Sequence, residues 1–128
     1  MKASITHIAI YTMDLERLKS FYIKYFGAES NNIYINDSGF SSYFLSFSSN
    51  VRLELMAHTK LQHREVIDKT PGISHIAFSV GSKENVIAIT ERIVNDGYEL
   101  LSSPRNTGDG YFESCIADPD GNRIEISQ

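Results

Sequence analysis

The chain has 128 residues, 41% of them apolar, which is enough for one domain with a real core or for two small modules. Its formal net charge of −4 comes with no basic cluster, so the composition argues against a nucleic-acid partner. The single cysteine, Cys115, excludes an internal disulfide framework, and no apolar run has the length of a membrane helix, so a reduced, cytoplasmic protein is expected.

The first strand signal is ITHIAI at residues 5–10, and it returns as ISHIAF at residues 73–78. Aligning His7 with His75 also aligns Ile5, Ile8 and Ala9 with Ile73, Ile76 and Ala77, at an offset of 68. Further on, Gly39, Phe40, Arg52, Leu53, Glu54 and Leu55 meet Gly110, Tyr111, Arg123, Ile124, Glu125 and Ile126 at an offset of 71. In both copies the glycine and the glutamate are 15 residues apart. This is a duplication of a unit of roughly 55 residues.

The predicted elements repeat in the same order. A strand over Ile5–Thr12 leads to a helix capped by Asp14. That helix has its apolar stripe at Leu15, Leu18, Tyr22 and Tyr25 or Phe26, and Gly27 stops it. Short strands follow at Ile33–Ile35, Ser42–Ser48 and Val51–Met56. The second copy has a strand over Ile73–Val80, then a helix capped by Ser82. Val86, Ile89 and Ile93 form the stripe of this helix, and Gly97 stops it. Strands at Glu99–Ser102, Tyr111–Asp118 and Arg123–Ser127 complete the copy, the last two joined by the turn DPDGN. The expected fold is α+β: two βαβββ modules, residues 1–56 and 73–128, joined by a linker over 57–72. Together they form curved mixed sheets around a cleft in one structural domain.

Strand alternation assigns the faces. Ile8 and Ile10 need the helix stripe as partner, so His7, Ala9 and Tyr11 point the other way. The same parity turns His75, Ala77 and Ser79 outward, together with Arg52, Glu54 and Met56, and Arg123 and Glu125. Taken singly, each histidine reads as a satisfied core residue and each glutamate as a solvated strand residue. At symmetric places in a duplicate, two imidazoles and two carboxylates read as ligands for a divalent transition metal. Tyr11, Tyr43 and Arg52 are expected to line the same cavity as substrate contacts. His58 and His63 are expected to be exposed in the linker, and Cys115 to be a small buried hydrophobe.

The motifs THIAIYTMDLERLKSFYIKYFG (Thr6–Gly27), VRLELM (Val51–Met56), ISHIAFSV (Ile73–Val80) and DPDGNRIEI (Asp118–Ile126) resemble the vicinal oxygen chelate superfamily over nearly the whole chain. This is the fold of glyoxalase I, bleomycin-resistance proteins, extradiol dioxygenases and methylmalonyl-CoA epimerase. The resemblance is nearest to glyoxalase I, whose four metal-ligand places coincide with His7, Glu54, His75 and Glu125. It implies one divalent ion per site (Zn, Ni, Co, Mn or Fe). It also implies a lyase or isomerase that converts a 2-oxoaldehyde–thiol hemithioacetal through an enediolate, with Glu125 as first choice of base and Glu54 as second. A two-fold homodimer is implied as well, with His7 and Glu54 from one chain and His75 and Glu125 from the other. Tyr11 stands where bacterial members usually have an arginine, and His58 where they have an asparagine. Both departures tell against glutathione as the thiol. The alternatives are another enzyme of the superfamily, an epimerase or dioxygenase, and a non-catalytic binding protein of the bleomycin-resistance kind.

Overall fold

The computed structural model describes residues 1–65 and 69–128. Three residues of the expected linker, 66–68, lie outside the described residues. The chain divides into two compact units, Met1–Arg64 and Glu65–Gln128, and each is described by itself.

In the first unit the elements are β1 (His7–Tyr11), α1 (Leu15–Phe26), β2 (Glu29–Ser30), β3 (Tyr34–Ile35), β4 (Phe40–Ser46) and β5 (Arg52–His58). Helix α1 starts where Asp14 accepts a hydrogen bond from the Arg17 amide at 3.0 Å. It stops at Gly27, whose φ of 63° is the left-handed conformation of a helix end. Its buried face is Leu18, Phe21, Tyr22 and Tyr25. The sheet order is β1-β5-β4-β2, with β3 beside β4. β1 runs parallel to β5, because a helix separates the two in the chain's return, and the remaining pairs are antiparallel.

The second unit has β6 (Ile76–Ser79), α2 (Lys83–Asn95), β7 (Leu100–Asn106), β8 (Phe112–Ala117) and β9 (Arg123–Ser127), in the order β6-β9-β8-β7. Ser82 caps α2 through the Asn85 amide, and β6 is parallel to β9. The β8–β9 turn is held by Asp118, whose Oδ1 accepts from the amides of Asp120 and Asn122, both at 2.9 Å. Gly39 and Gly110, matched in the duplication, have φ of 87° and 92°, so the repeated glycine answers a backbone demand.

The fold class is the expected one: two mixed, open sheets, each with one helix on one face. Several boundaries differ. β1 begins at His7 because Ile5 is exposed and lacks a partner strand. β2 is an additional short strand, so the first module has one strand more than βαβββ among the described residues. β5 continues two residues beyond Met56, into the expected linker. There His58 pairs with Phe40 and is half-buried, against the expectation of an exposed linker histidine. β7 runs through Pro104, which is tolerated because β7 is an edge strand and the register shifts on either side of Ser102.

Each unit has its own buried residues. Leu45, Leu53 and Leu55 are buried on the helix side of the first sheet, while Ile116, Ile124 and Ile126 are buried on the helix side of the second. Each sheet therefore keeps one face that its own helix does not cover.

Candidate metal centre

The register carries His7 and Glu54 onto the uncovered face of the first sheet. Ile8 is opposite Leu53 and Ile10 opposite Leu55, so the alternate residues of β1 and β5 point away from α1. His7 Nε2 stands 3.6 Å from Glu54 Oε2. The other ring nitrogen, Nδ1, is 3.0 Å from the hydroxyl of Thr6. The ring meets Phe44 edge-on, with centroids 5.4 Å apart.

The second sheet repeats this arrangement. Ile76 faces Ile124 and Phe78 faces Ile126, which leaves Ala77 and Glu125 on the uncovered face, with His75 just ahead of β6. His75 Nε2 is 3.3 Å from Glu125 Oε2, and its Nδ1 is 3.1 Å from the Ser74 hydroxyl. Both histidines are about two-fifths exposed, while Glu54 and Glu125 are 14% and 23% exposed. The imidazole nitrogens are therefore accessible, and the carboxylates are more covered than the rings.

The donor chemistry fits a divalent ion. An imidazole that ligates through Nε2 carries its proton on Nδ1, and a hydroxyl oxygen there accepts it and fixes the ring. Thr6 and Ser74 occupy that place in the two copies. Each half thus offers one nitrogen and one carboxylate with the orientation already set. Among the described residues no three His, Cys, Asp or Glu side chains gather as one cluster, so each half is a pair.

Of the expected substrate contacts, Tyr11 and Arg52 are on the uncovered face of the first sheet, in register with Met56 and His7 respectively, and both are exposed. Tyr43 is not. It pairs with Leu55 and is buried on the helix side. Its hydroxyl donates to Glu16 at 2.5 Å, and Lys19 lies 4.1 Å above its ring. Lys19 also bonds Glu16 at 2.7 Å. The hydrogen bonds from Lys19, then from Tyr43, hold the Glu16 carboxyl below its ordinary value. Tyr43 is thus a strut between α1 and β4. The residue that does face the His7 pair from β4 is Phe44, opposite Glu54.

Two residues of the second half join the site unannounced. Cys115 is directly opposite Glu125, and Glu113 is two positions further along β8 on the same face. Burial, and then the hydrogen bond and charge of Glu125, push the Glu113 carboxyl above its ordinary value, with Arg105 opposing weakly from 3.9 Å. Cys115 is half-buried, not fully buried as expected. Burial raises its thiol, against the nearby Arg123. The sequence signal for both was the parity of β8 relative to Glu125. The signal for Thr6 and Ser74 was a hydroxyl residue before each repeated histidine.

Among the described residues no helix is long and apolar enough to cross a membrane. In sequence, the uncharacterized protein YwkD of Bacillus subtilis (strain 168) is 31% identical over 85 residues, 66% of each chain. Among solved structures, a glyoxylase/bleomycin resistance protein/dioxygenase domain from Frankia sp. EAN1pec superposes with a TM-score of 0.84 at 16% identity, covering 99% of this chain and 98% of that one. Glyoxalase I from Zea mays superposes with a TM-score of 0.78 at 22% identity over 97% of this chain. The chain spans 44% of that maize protein. With these likenesses, and with the family model matching residues 4–126, the chain belongs to the Glyoxalase/Bleomycin resistance protein/Dioxygenase superfamily.

Proposed function

We propose that this protein is a metal-dependent lyase or isomerase of the glyoxalase I kind, acting on a small substrate that presents two neighbouring oxygens. The observation that carries the reading is the doubled pair: a histidine Nε2 facing a glutamate oxygen in each copy, with each Nδ1 anchored by the preceding hydroxyl. One divalent ion would take His7 and Glu54 from one copy and His75 and Glu125 from the other. When bound, it would supply Lewis-acid polarisation of the substrate oxygens.

The remaining work falls to the chain's own side chains. Glu125 takes a proton from the carbon beside the substrate carbonyl and returns it to the neighbouring carbon, with Glu54 as the second choice for that task. Thr6 and Ser74 hold the Nδ1 side of the imidazoles and so orient the rings. Tyr11 and Arg52 meet the substrate from the first sheet. Glu113 and Cys115 flank Glu125 and limit the water that reaches it. In the assembly we infer, a two-fold homodimer in the cytoplasm, each site uses the first copy of one chain and the second copy of its partner.

The test is turnover. The metal-reconstituted protein is screened over methylglyoxal hemithioacetals of several thiols, and isomerisation of at least one, abolished by chelator, is the expected result. Metal uptake with no turnover on any of them, but with tight binding of a large organic ligand, would favour a binding protein instead.

A further inference from the structure

The two half-sites share their ligands but differ in what surrounds them, and the difference centres on two matched arginines. Arg52 and Arg123 precede Glu54 and Glu125 by two residues, and each lies against the residue that faces the glutamate across the sheet. In the first half that residue is Phe44, and the Arg52 guanidinium stacks 4.3 Å above its ring. In the second half it is Cys115, with Arg123 beside it.

The electrostatic settings differ. The second half has an extra carboxylate, Glu113, at the place where the first half has Ser42, and it hydrogen-bonds Glu125. A second anion there would meet two carboxylates. In the first half, among the described residues, no carboxylate lies within ion-pair distance of the Arg52 guanidinium, which is exposed and lies over an aromatic face. Stacking on a ring occupies the face of a guanidinium and leaves its N–H edge free for a bidentate anion.

We propose that Arg52 is a specificity-determining residue that takes a second anionic group, a carboxylate, of the substrate. This rests on the reading of His7 and Glu54 as metal ligands. The strand geometry bounds the distance. Arg52 and Glu54 are two residues apart on β5, about 7 Å between their backbones, and the guanidinium leans over Phe44, opposite Glu54, so one small molecule can reach both. The substrate class is a small acid with vicinal oxygens at one end and a carboxylate three or four bonds away.

The experiment uses the full-length chain loaded with Zn²⁺ and two probes with the same chelating end. 2-Hydroxyglutarate has the distal carboxylate, and 2-hydroxypentanoate ends in a methyl group. By calorimetry, the wild type should bind the dicarboxylate ~10-fold or more tighter, the scale of a charge-assisted bidentate bond. Arg52→Ala should bring the ratio close to unity with zinc uptake unchanged, and Arg52→Lys should retain part of it. Arg123→Ala should leave the ratio as in the wild type. Equal binding of the two probes by the wild type, or a preference that survives in Arg52→Ala, would overturn the proposal and leave the metal site standing. Absence of zinc uptake by the wild type is read separately, before any probe is added. It would overturn the metal-site reading, and this proposal with it.

Discussion

His75 Nε2 lies 3.3 Å from Glu125 Oε2, and the matched atoms of His7 and Glu54 lie 3.6 Å apart. An imidazole nitrogen and a carboxylate oxygen at this spacing face each other closely enough for one ion to take both. Glu125 on β9 differs from Glu54 in its neighbours, with Cys115 opposite it and Glu113 at its side. Replacement of Glu125 by Gln keeps the size and one ligand oxygen but removes the base. The expected result on a proven substrate is a 10²–10⁴-fold loss in turnover, on the order expected for general-base catalysis. Nearly full activity in Glu125→Gln would pass the role to Glu54, and the same substitution there would show it.

The hydroxyls of Thr6 and Ser74 should matter for affinity although neither is a ligand. Each fixes the Nδ1 end of its histidine, at 3.0 and 3.1 Å. Thr6→Val and Ser74→Ala are each expected to weaken metal binding by about 10–100-fold, measured by competition with a chelator of known affinity. Unchanged affinity in both would mean that the imidazoles are oriented by something else.

The Tyr43–Glu16 contact gives a pH-dependent stability. Glu16 has its folded pKa lowered below the ordinary 4.5, first by Lys19 and then by Tyr43. A lowered carboxyl pKa contributes stability that is present above the unfolded value and is lost as pH falls through the folded one. Tyr43→Phe should therefore cost about 0.5 kcal/mol near neutral pH, small because Glu16 is largely exposed. The gap between variant and wild type should narrow as pH falls below 4.5, as read from urea midpoints. A gap that widens at acid pH would reject this role.

Assembly is tested by mixing variants. In a two-fold dimer with sites shared between chains, a dimer of one His7→Ala and one His75→Ala chain keeps one intact set of four ligands. Metal binding absent from each variant alone should reappear when the two are refolded together. If the four ligands come from one chain, mixing restores nothing.

The sequence carried the duplication, the element types and the faces of the first and last strands of each copy, because β1, β5, β6 and β9 alternate cleanly between apolar and polar residues. His7, Glu54, His75 and Glu125 were legible on those strands for that reason. β4 was not so clear. In SYFLSF both alternation sets contain aromatic or aliphatic residues, so the parity of Tyr43 against Phe44 depends on the pairing of Leu45 with Leu53 across the hairpin. That register is a tertiary fact, and a one-residue slip exchanges the two rings between faces. Glu113 was missed for a related reason: it matches Ser42, not a ligand, so symmetry gave no hint of it. The N-terminal extent of β1 and the addition of β2 depend on which backbone groups find partners, which local pattern does not encode.

The central claim is that the four repeated side chains hold a metal, and metal content tests it most directly. Protein freed of metal, titrated with Zn²⁺ and then desalted, should retain about one ion per chain by elemental analysis, as four ligands drawn from two copies require. His7→Ala, Glu54→Ala, His75→Ala and Glu125→Ala should each lose it while Arg123→Ala retains it. A wild-type chain that holds no zinc, or a double variant lacking both His7 and His75 that still holds a full equivalent, would contradict the account.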